Sequence, residues 1–145
     1  MASAVSCRRI TGDTNIHEYE GAAAGAANAV QPGDLVRLDS AGEVILAATS
    51  HIFGIVLKAG SATDSTLLPV DVLRPGDEFS IPCNTTTTEA HKGATCDVTF
   101  TTGAQVATLG GSTDLYCVDL DSCDALGKDG GRLICRVLAA SCVPR

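Results

Sequence analysis

The second half of the chain repeats the pattern of the first half, and this repeat constrains the fold more than any other feature of the sequence. Each half contains short apolar runs separated by small turns, and the likeness is one of pattern rather than identity. Such self-similarity, with the drift in spacing absorbed by loops, is typical of a duplicated unit. The sequence predicts two copies, at residues 31–74 and 91–139. The paired positions are Gly33 with Gly93, Gly42 with Gly103, Phe53 with Tyr116, Leu57 with Leu120 and Leu73 with Leu138.

Short β runs separated by turn residues occupy the chain from residue 31 onward. Pro-Gly-Asp tripeptides at 32–34 and 75–77 each precede a run, as turn residues do. Residues 52–57 are apolar on both faces and predict a central strand, in which Gly54 indicates a bulge or a close backbone approach. We predict an all-β, single-domain protein, either a jelly-roll-like sandwich or a partly closed barrel. The nine predicted strands are 35–39, 44–47, 52–58, 67–73, 78–83, 95–101, 105–109, 115–120 and 132–139.

Residues 1–30 differ in composition from the β domain at 31–145. Residues 4–10 have the pattern of a short strand, whereas 21–28 are rich in Ala and Gly and offer no large apolar face. The sequence predicts an extended N-terminal arm. Two forms of it stay open, a flexible or surface-hugging segment and a segment that becomes ordered on a partner.

Composition excludes several classes of partner. The formal net charge is -7 and the ten basic residues are scattered apart from Arg8 and Arg9, so we expect no nucleic-acid binding. Aromatic residues make up 3% of the chain and Trp is absent, which removes the stacking platforms of single-strand binders. No apolar run approaches the ~18 residues of a membrane span, so we expect no membrane association.

The chain has seven cysteines, an odd number. No apolar stretch follows Arg8 and Arg9, so we expect no secretory signal and synthesis in a reducing host cytoplasm. Several cysteines lie in apolar runs, as small buried hydrophobic residues do. Disulfides formed later, outside a cell, stay open as an alternative, and the sequence does not define which cysteines would pair.

No catalytic or cofactor motif is present, so we expect neither an enzyme nor a bound cofactor. The alternatives weighed are a metal site at Cys83, His91 and Cys96, and a nucleophile–base pair of Cys96 with His91. Buried thiols and a surface histidine are the preferred interpretation, so no metal is expected. A calcium site in the acidic loop is weighed against ordinary solvated turn carboxylates, which are preferred. The acidic residues of that loop are Asp119, Asp121, Asp124 and Asp129.

Four stretches resemble the capsid cement, or head decoration, proteins of tailed bacteriophages. They are residues 32–39, with their Gly-Asp-x-Val core, 53–56 (Phe-Gly-Ile-Val), 76–82 (Gly-Asp-Glu-Phe-Ser-Ile-Pro) and 91–103. The resemblance spans most of 31–140, and residues 116–119 depart from the family's Gly-Val-Ala pattern. It implies a small β-rich structural protein of the virion that binds the outer surface of an icosahedral capsid and stabilises contacts between major capsid protein subunits.

An exposed strand edge and an arm suit such a protein, because an added strand can pair with unpaired edge groups. We expect the major capsid protein as partner and self-association as a dimer or trimer. The alternative is a carbohydrate-binding or ligand-binding β module of receptor-binding or adhesive type, for which five aromatic residues are few. The predicted contact residues, chosen from exposure and edge logic, are Val5, Arg8, Arg9, Ile10, Gln31, Leu35 and Arg37.

Overall fold

The chain forms two antiparallel β-sheets in a computed structural model that describes residues 7–21, 30–47, 52–60, 67–85, 87–101, 104–110, 115–121 and 131–138. One 3-10 turn covers Glu89–His91, and no helix in the described part is long and apolar enough to cross a membrane. The strands are β1 (Arg8–Thr11), β2 (Ile16–Tyr19), β3 (Leu35–Leu38), β4 (Val44–Leu46), β5 (Gly54–Val56), β6 (Leu68–Val72), β7 (Glu78–Pro82), β8 (Thr95–Thr101), β9 (Ala104–Leu109), β10 (Leu115–Leu120) and β11 (Arg132–Val137).

Apart from β1, the first half of the chain builds one sheet and the second half builds the other. The N-terminal sheet has the strand order β2-β6-β5-β3-β4, and the C-terminal sheet has the order β1-β7-β11-β10-β8-β9. All nine predicted strands form, as β3 to β11. The all-β sandwich is confirmed, and neither sheet closes into a barrel.

The two sheets share one topology. Replacing β2 to β6 by β7 to β11, in chain order, converts the strand order of the N-terminal sheet into that of the C-terminal sheet without its extra strand β1. Individual backbone hydrogen bonds recur as well. The bond from Val56 N–H to Asp34 O corresponds to that from Cys117 N–H to Ala94 O. The bond from Val72 N–H to Asn15 O corresponds to that from Val137 N–H to Asp77 O, and the bond from Ala47 N–H to Leu35 O corresponds to that from Gly110 N–H to Thr95 O. The internal duplication is therefore present, and it is one strand longer than predicted.

Register corrects two of the predicted pairs. Ile55 lies opposite Leu35, and Tyr116 lies opposite Thr95, so Tyr116 takes the place of Ile55 rather than that of Phe53. A bulge between Cys117 and Asp119 shifts the ladder further along β10. As a result Asp119, rather than Leu120, occupies the place of Leu57. The sequence could not show this, because a bulge changes register without changing the apolar pattern.

The described part of the predicted N-terminal arm belongs to the sandwich, so the arm prediction is wrong for residues 7–21. Strand β1 pairs with β7 in the C-terminal sheet, and β2 pairs with β6 in the N-terminal sheet. Strand β1 overlaps the short strand predicted at residues 4–10, whereas the sequence of β2, IHEY, is too polar to predict as a strand. Of the Ala-rich segment predicted at 21–28, residues 22–28 lie outside the described residues, as do residues 1–6.

The two Pro-Gly-Asp turns have the same hydrogen bonds. Gly33 and Gly76 adopt φ angles of 91° and 95°, which only glycine adopts without strain. In each turn the aspartate side chain accepts the backbone N–H three residues earlier, from Gln31 in the first and from Arg74 in the second. Each turn thereby directs the chain into the strand that follows, as the sequence predicts.

Two apolar clusters stabilise the sandwich. The larger one joins the sheets, bringing Leu35 and Ile55 together with Phe79, Leu115 and Leu133. The smaller cluster lines the opposite face of the N-terminal sheet. It contains Val30, Val36, Val44, Val56, Leu68 and Val70, with Tyr19, Leu38, Leu46 and Phe53 packed against it.

Gly54 marks a close approach between β5 and β6, as expected. A Cβ atom on this residue would lie 2.5 Å from the carbonyl oxygen of Asp71 and 2.6 Å from a methyl group of Val70. Real Cβ atoms are not found so close to other heavy atoms, so only glycine fits at this position. The strand lies in the middle of the N-terminal sheet and all three of its residues are buried, which confirms the prediction of a central strand.

A buried amide joins the two halves. Gln105 on β9 accepts the backbone N–H of Leu35 at 2.7 Å and donates to the carbonyl oxygens of Leu35, at 2.7 Å, and Ala47, at 2.9 Å. Gln105 therefore supplies hydrogen bonds to the backbone of Leu35 and Ala47 at the place where the C-terminal sheet meets the N-terminal sheet. Backbone groups buried without such partners would destabilise the fold.

Replacing Gln105 by alanine should lower the free energy of unfolding by about 2–4 kcal/mol, because three buried backbone groups each lose a hydrogen bond. The matched control is Gln31→Ala, since Gln31 is exposed and is the chain's other glutamine. Its cost should stay within about 0.5 kcal/mol. Urea unfolding of both variants measures the difference, and equal costs would contradict the bridging role of Gln105.

Candidate functional site

The predicted contact residues are scattered over the sandwich rather than gathered in one place. Leu35 is fully buried between the sheets, so its prediction as a contact residue is wrong. Gln31 is exposed in a turn, while Ile10 and Arg37 are half-buried on different sheets. Val5 lies outside the described residues.

Arg9 is also unavailable to a partner, because its guanidinium joins β1 to β6 and to the turn before β7. It donates to both carboxylate oxygens of Asp71, at 2.9 and 2.7 Å, and to Asp77 at 2.9 Å. A further bond reaches the carbonyl oxygen of Val72. The side chain is 10% exposed, so Arg9 holds the two sheets together and its prediction as a contact residue is wrong.

Arg8 lies on the other face of β1 and has a different environment. Its side chain is 50% exposed, and it contacts the buried carboxylate of Asp121 at 3.1 Å. Ser80 donates to the same carboxylate oxygen at 2.5 Å, and Arg132 donates to the hydroxyl of Ser80 at 2.8 Å. This network covers the outer face of β7 and β11 where β1 lies beside them.

The equivalent place on the N-terminal sheet is open. Strand β2 is equivalent to β7, yet no described strand pairs with the free side of β2 itself, whereas β1 pairs with that side of β7. Just beyond β2, the same side meets β4, where the carbonyl of Glu20 accepts the N–H of Val44. The carbonyl of Asn15 faces β6, so by alternation the backbone groups of Ile16 and Glu18 point outward. The two copies of the repeat therefore differ at this edge.

Apolar side chains lie beside the open strand. Glu18 lies opposite Pro69 on β6, and the carbonyl of Pro69 accepts the backbone N–H of Leu57. Three large apolar residues of this face are exposed, Ile16 by 53%, Leu57 by 44% and Leu67 by 41%. We define the β2 edge as the outward backbone groups of Ile16 and Glu18 together with the side chains of Ile16, Leu57, Leu67 and Pro69.

Register relates the β2 edge to the Arg8 network on the other sheet. Leu67 is equivalent to Arg132, and Glu18 is equivalent to Ser80. The charged Arg132 and the hydroxyl of Ser80 beneath β1 thus correspond to the apolar Leu67 and the exposed Glu18 beside β2. The sequence does not reveal the β2 edge, because Ile16–Tyr19 and Glu78–Pro82 share no apolar pattern that would show that the two strands are equivalent.

Cys83 and His91, two of the three predicted metal-site residues, are in contact. The backbone N–H of Thr88 donates to His91 Nδ1 at 3.1 Å, and His91 Nε2 lies 3.4 Å from the sulfur of Cys83. His91 is buried, which corrects its prediction as a surface residue. Cys96 lies on β8 in the core of the C-terminal sheet, and no described group of three such side chains is arranged to hold a metal ion.

Three further thiols meet in the core of the C-terminal sheet. Cys96, Cys117 and Cys135 are fully buried and belong to the same apolar cluster. The equivalent residues of the N-terminal sheet are all valines. Register gives Val70 for Cys135, Val56 for Cys117 and Val36 for Cys96. The expectation that several cysteines behave as small buried hydrophobic residues is confirmed for these three.

The predicted alternative of a calcium site receives no support from its described members. The Asp121 carboxylate is buried and engaged by Arg8 and Ser80, and Asp119 accepts the N–H of Leu120 and lies 3.5 Å from Lys92. Asp124 and Asp129 lie outside the described residues.

Comparison with known proteins gives no identity. No model of a protein family matches the chain, and no curated protein is detectably similar to it.

The Arg9 network makes stability depend on pH. Burial alone would raise the pKa of Asp71, but hydrogen bonds from Arg9 and from the N–H of Asn15, with the charge of Arg9, hold it below its ordinary value. The folded pKa is therefore lower than the unfolded one. Stability from this carboxylate is complete above the unfolded value of ~3.9 and is lost as the pH falls through the folded value.

Asp71→Asn should cost about 2–4 kcal/mol at pH 7, because Arg9 loses its bidentate anion. As the pH falls below the unfolded value of ~3.9 the cost should shrink, since the stabilisation by the native carboxylate is then progressively lost. The exposed Asp13→Asn is the matched control and should change little at any pH. Urea unfolding at pH 7 and at pH 2–3 measures both, and a cost for Asp71→Asn that does not change with pH would contradict the assignment.

Proposed function

We propose that this chain is a structural virion protein that binds the outer surface of an icosahedral phage capsid and stabilises contacts between major capsid protein subunits. The resemblance of residues 31–140 to capsid cement proteins supports the class. One observation supports the mode of binding: the β2 edge is open, whereas the equivalent edge of the other sheet is covered by β1. On this proposal the protein acts on the virion surface as a binding partner rather than as an enzyme.

The mode of attachment is β-augmentation at the β2 edge. Outward N–H and C=O groups of Ile16 and Glu18 accept an antiparallel strand in the place that β1 fills beside β7. The occupant is an extended segment of the capsid subunit.

The chemistry of the edge defines the occupant further. On the C-terminal sheet the residue opposite Ser80 is Arg8, which reaches Asp121. Opposite the equivalent Glu18, the incoming strand meets Leu57, Leu67 and Pro69 instead, so an apolar side chain suits that position.

Charge and copy number are consistent with an exterior position. The net charge of -7 keeps the protein away from packaged nucleic acid. A four-residue strand supplies modest affinity alone, so many copies on a closed shell, or self-association as a dimer or trimer, strengthen the attachment.

Quantitative mass spectrometry of purified virus particles from the source of the sequence tests the proposal. We expect the chain at a fixed stoichiometric ratio to the major capsid protein. Absence from particles, or only a few copies in each, would overturn the proposal and favour the ligand-binding module, which a glycan array then tests.

A Glu18→Pro variant tests the mode of attachment. Proline removes the outward N–H of residue 18, and it is tolerated at an edge because that N–H does not face β6. Binding to particles stripped of the protein should fall at least tenfold for Glu18→Pro. The matched control Glu18→Ala retains the N–H and should bind within about threefold of the native chain.

Circular dichroism and unfolding temperature establish that both variants fold. Equal binding by two folded variants would contradict strand addition at β2 while leaving the measured stoichiometry, and with it the function, intact.

A further inference from the structure

The three thiols of the C-terminal sheet are arranged for more than packing. Cys117 and Cys135 lie directly opposite each other on the neighbouring strands β10 and β11. Both backbone groups of Cys117 bond toward the β8 side, its N–H to Ala94 and its C=O to Gly93. The pair is therefore a non-hydrogen-bonded pair of the β10–β11 ladder.

This type of pair suits a disulfide. Non-hydrogen-bonded partners have Cα atoms ~4.5 Å apart and the closest side chains in an antiparallel sheet. That separation lies within the ~4.4–6.8 Å range of protein disulfides. The ladder between the strands does not need to move for the bond to form.

The other half of the chain shows that thiols are not required by the fold. Val56 and Val70 form the equivalent cross-strand pair, and Val36 occupies the place of Cys96. A core of the same topology is therefore built from valines at all three positions. A directly opposed pair of thiols in one copy of the repeat, with a third thiol in the same core, supplies a chemistry that the other copy lacks.

We propose that Cys117 and Cys135 are an oxidation site, which a peroxide converts to a cross-strand disulfide once the protein has left the reducing cytoplasm. In the first step the sulfur of Cys117 attacks one oxygen of hydrogen peroxide, which yields a sulfenic acid and one water. In the second step the sulfur of Cys135 attacks the sulfenic sulfur, forming the S–S bond as a second water leaves. Two thiols are oxidised and one peroxide is reduced to two waters.

The surroundings of the pair favour this order of events. Hydrogen bonds to Cys135 lower the pKa of Cys117 and Cys96, while the same bonds, with burial, raise the pKa of Cys135 well above its ordinary value. Cys117 also lies next to the bulge of β10, where the ladder is interrupted. Local opening at such an irregularity admits a molecule as small as peroxide.

The cross-link would tie β10 to β11 across the segment between residues 117 and 135. Closing a loop of this length raises stability by restricting the unfolded chain. The bond concerns the fold itself, so it forms whichever partner occupies the β2 edge.

Treatment of the folded protein with hydrogen peroxide tests the proposal. Titration after unfolding should show five free thiols instead of seven, with a mass lower by about 2 Da. Chymotrypsin cuts at Phe100 and Tyr116, which separates Cys96 from Cys117, so the linked peptides identify the pair. The unfolding temperature should rise by roughly 5–10 °C and return on reduction.

Variants copied from the other half of the chain are the controls. The double variant Cys117→Val with Cys135→Val reproduces the valine pair of the first sheet, and peroxide should leave its unfolding temperature unchanged. Cys96→Val should keep the full response. Free thiols at 117 and 135 after treatment, a bond between a different pair, or oxidation to sulfinic acid without a cross-link would each overturn the proposal.

Discussion

Backbone groups at the edge of a sheet need partners, and this constraint distinguishes the two halves of the molecule. Both halves fold into the same five-strand order with the same hydrogen bonds, so their outer strands β2 and β7 face the same requirement. Among the residues that the structure describes, β7 is covered by the chain's own strand β1, and no strand covers β2. The asymmetry arises because one N-terminal segment cannot cover two edges.

The two residues that hold β1 in place are the ones that the sequence suggests are most available to bind a partner. Arg8 and Arg9 form the only adjacent basic pair, yet Arg9 is bound between Asp71 and Asp77, and Arg8 contacts Asp121. One arginine thus fastens β1 to the N-terminal sheet, and the other fastens it to the C-terminal sheet. Pairing with both sheets converts a predicted arm into part of the sandwich.

Divergence between the copies has placed different chemistry on the same scaffold. Gly54 allows β5 to approach β6 closely, and its equivalent on β10 is the buried Leu115. Valines of one core are cysteines of the other, and the apolar Leu67 stands where the other copy has Arg132. Topology is retained while the buried thiols and the exposed edge are each confined to one copy.

Much of the fold could be predicted from the sequence, because apolar alternation and Pro-Gly-Asp turns report directly on strands with a buried face. The edge strand β2 could not, since polar residues such as His17 and Glu18 carry no such pattern, and the strand pattern at residues 4–10 does not show that β1 joins a sheet. For the same reason, the sequence reveals four strands of the duplicated unit but does not show that a fifth belongs to it. The β2 edge depends on which strand lies beside which, and a single sequence does not contain that information.

Amide hydrogen exchange of the isolated protein, followed by NMR, tests the open edge most directly. Glu18 and Ser80 are equivalent residues whose N–H groups point away from the rest of their sheets, toward solvent in one case and toward β1 in the other. The N–H of Ser80 should exchange at least a hundredfold more slowly than that of Glu18, after correction for intrinsic rates. Equal protection of the two amides would contradict the asymmetry on which the account of this protein depends.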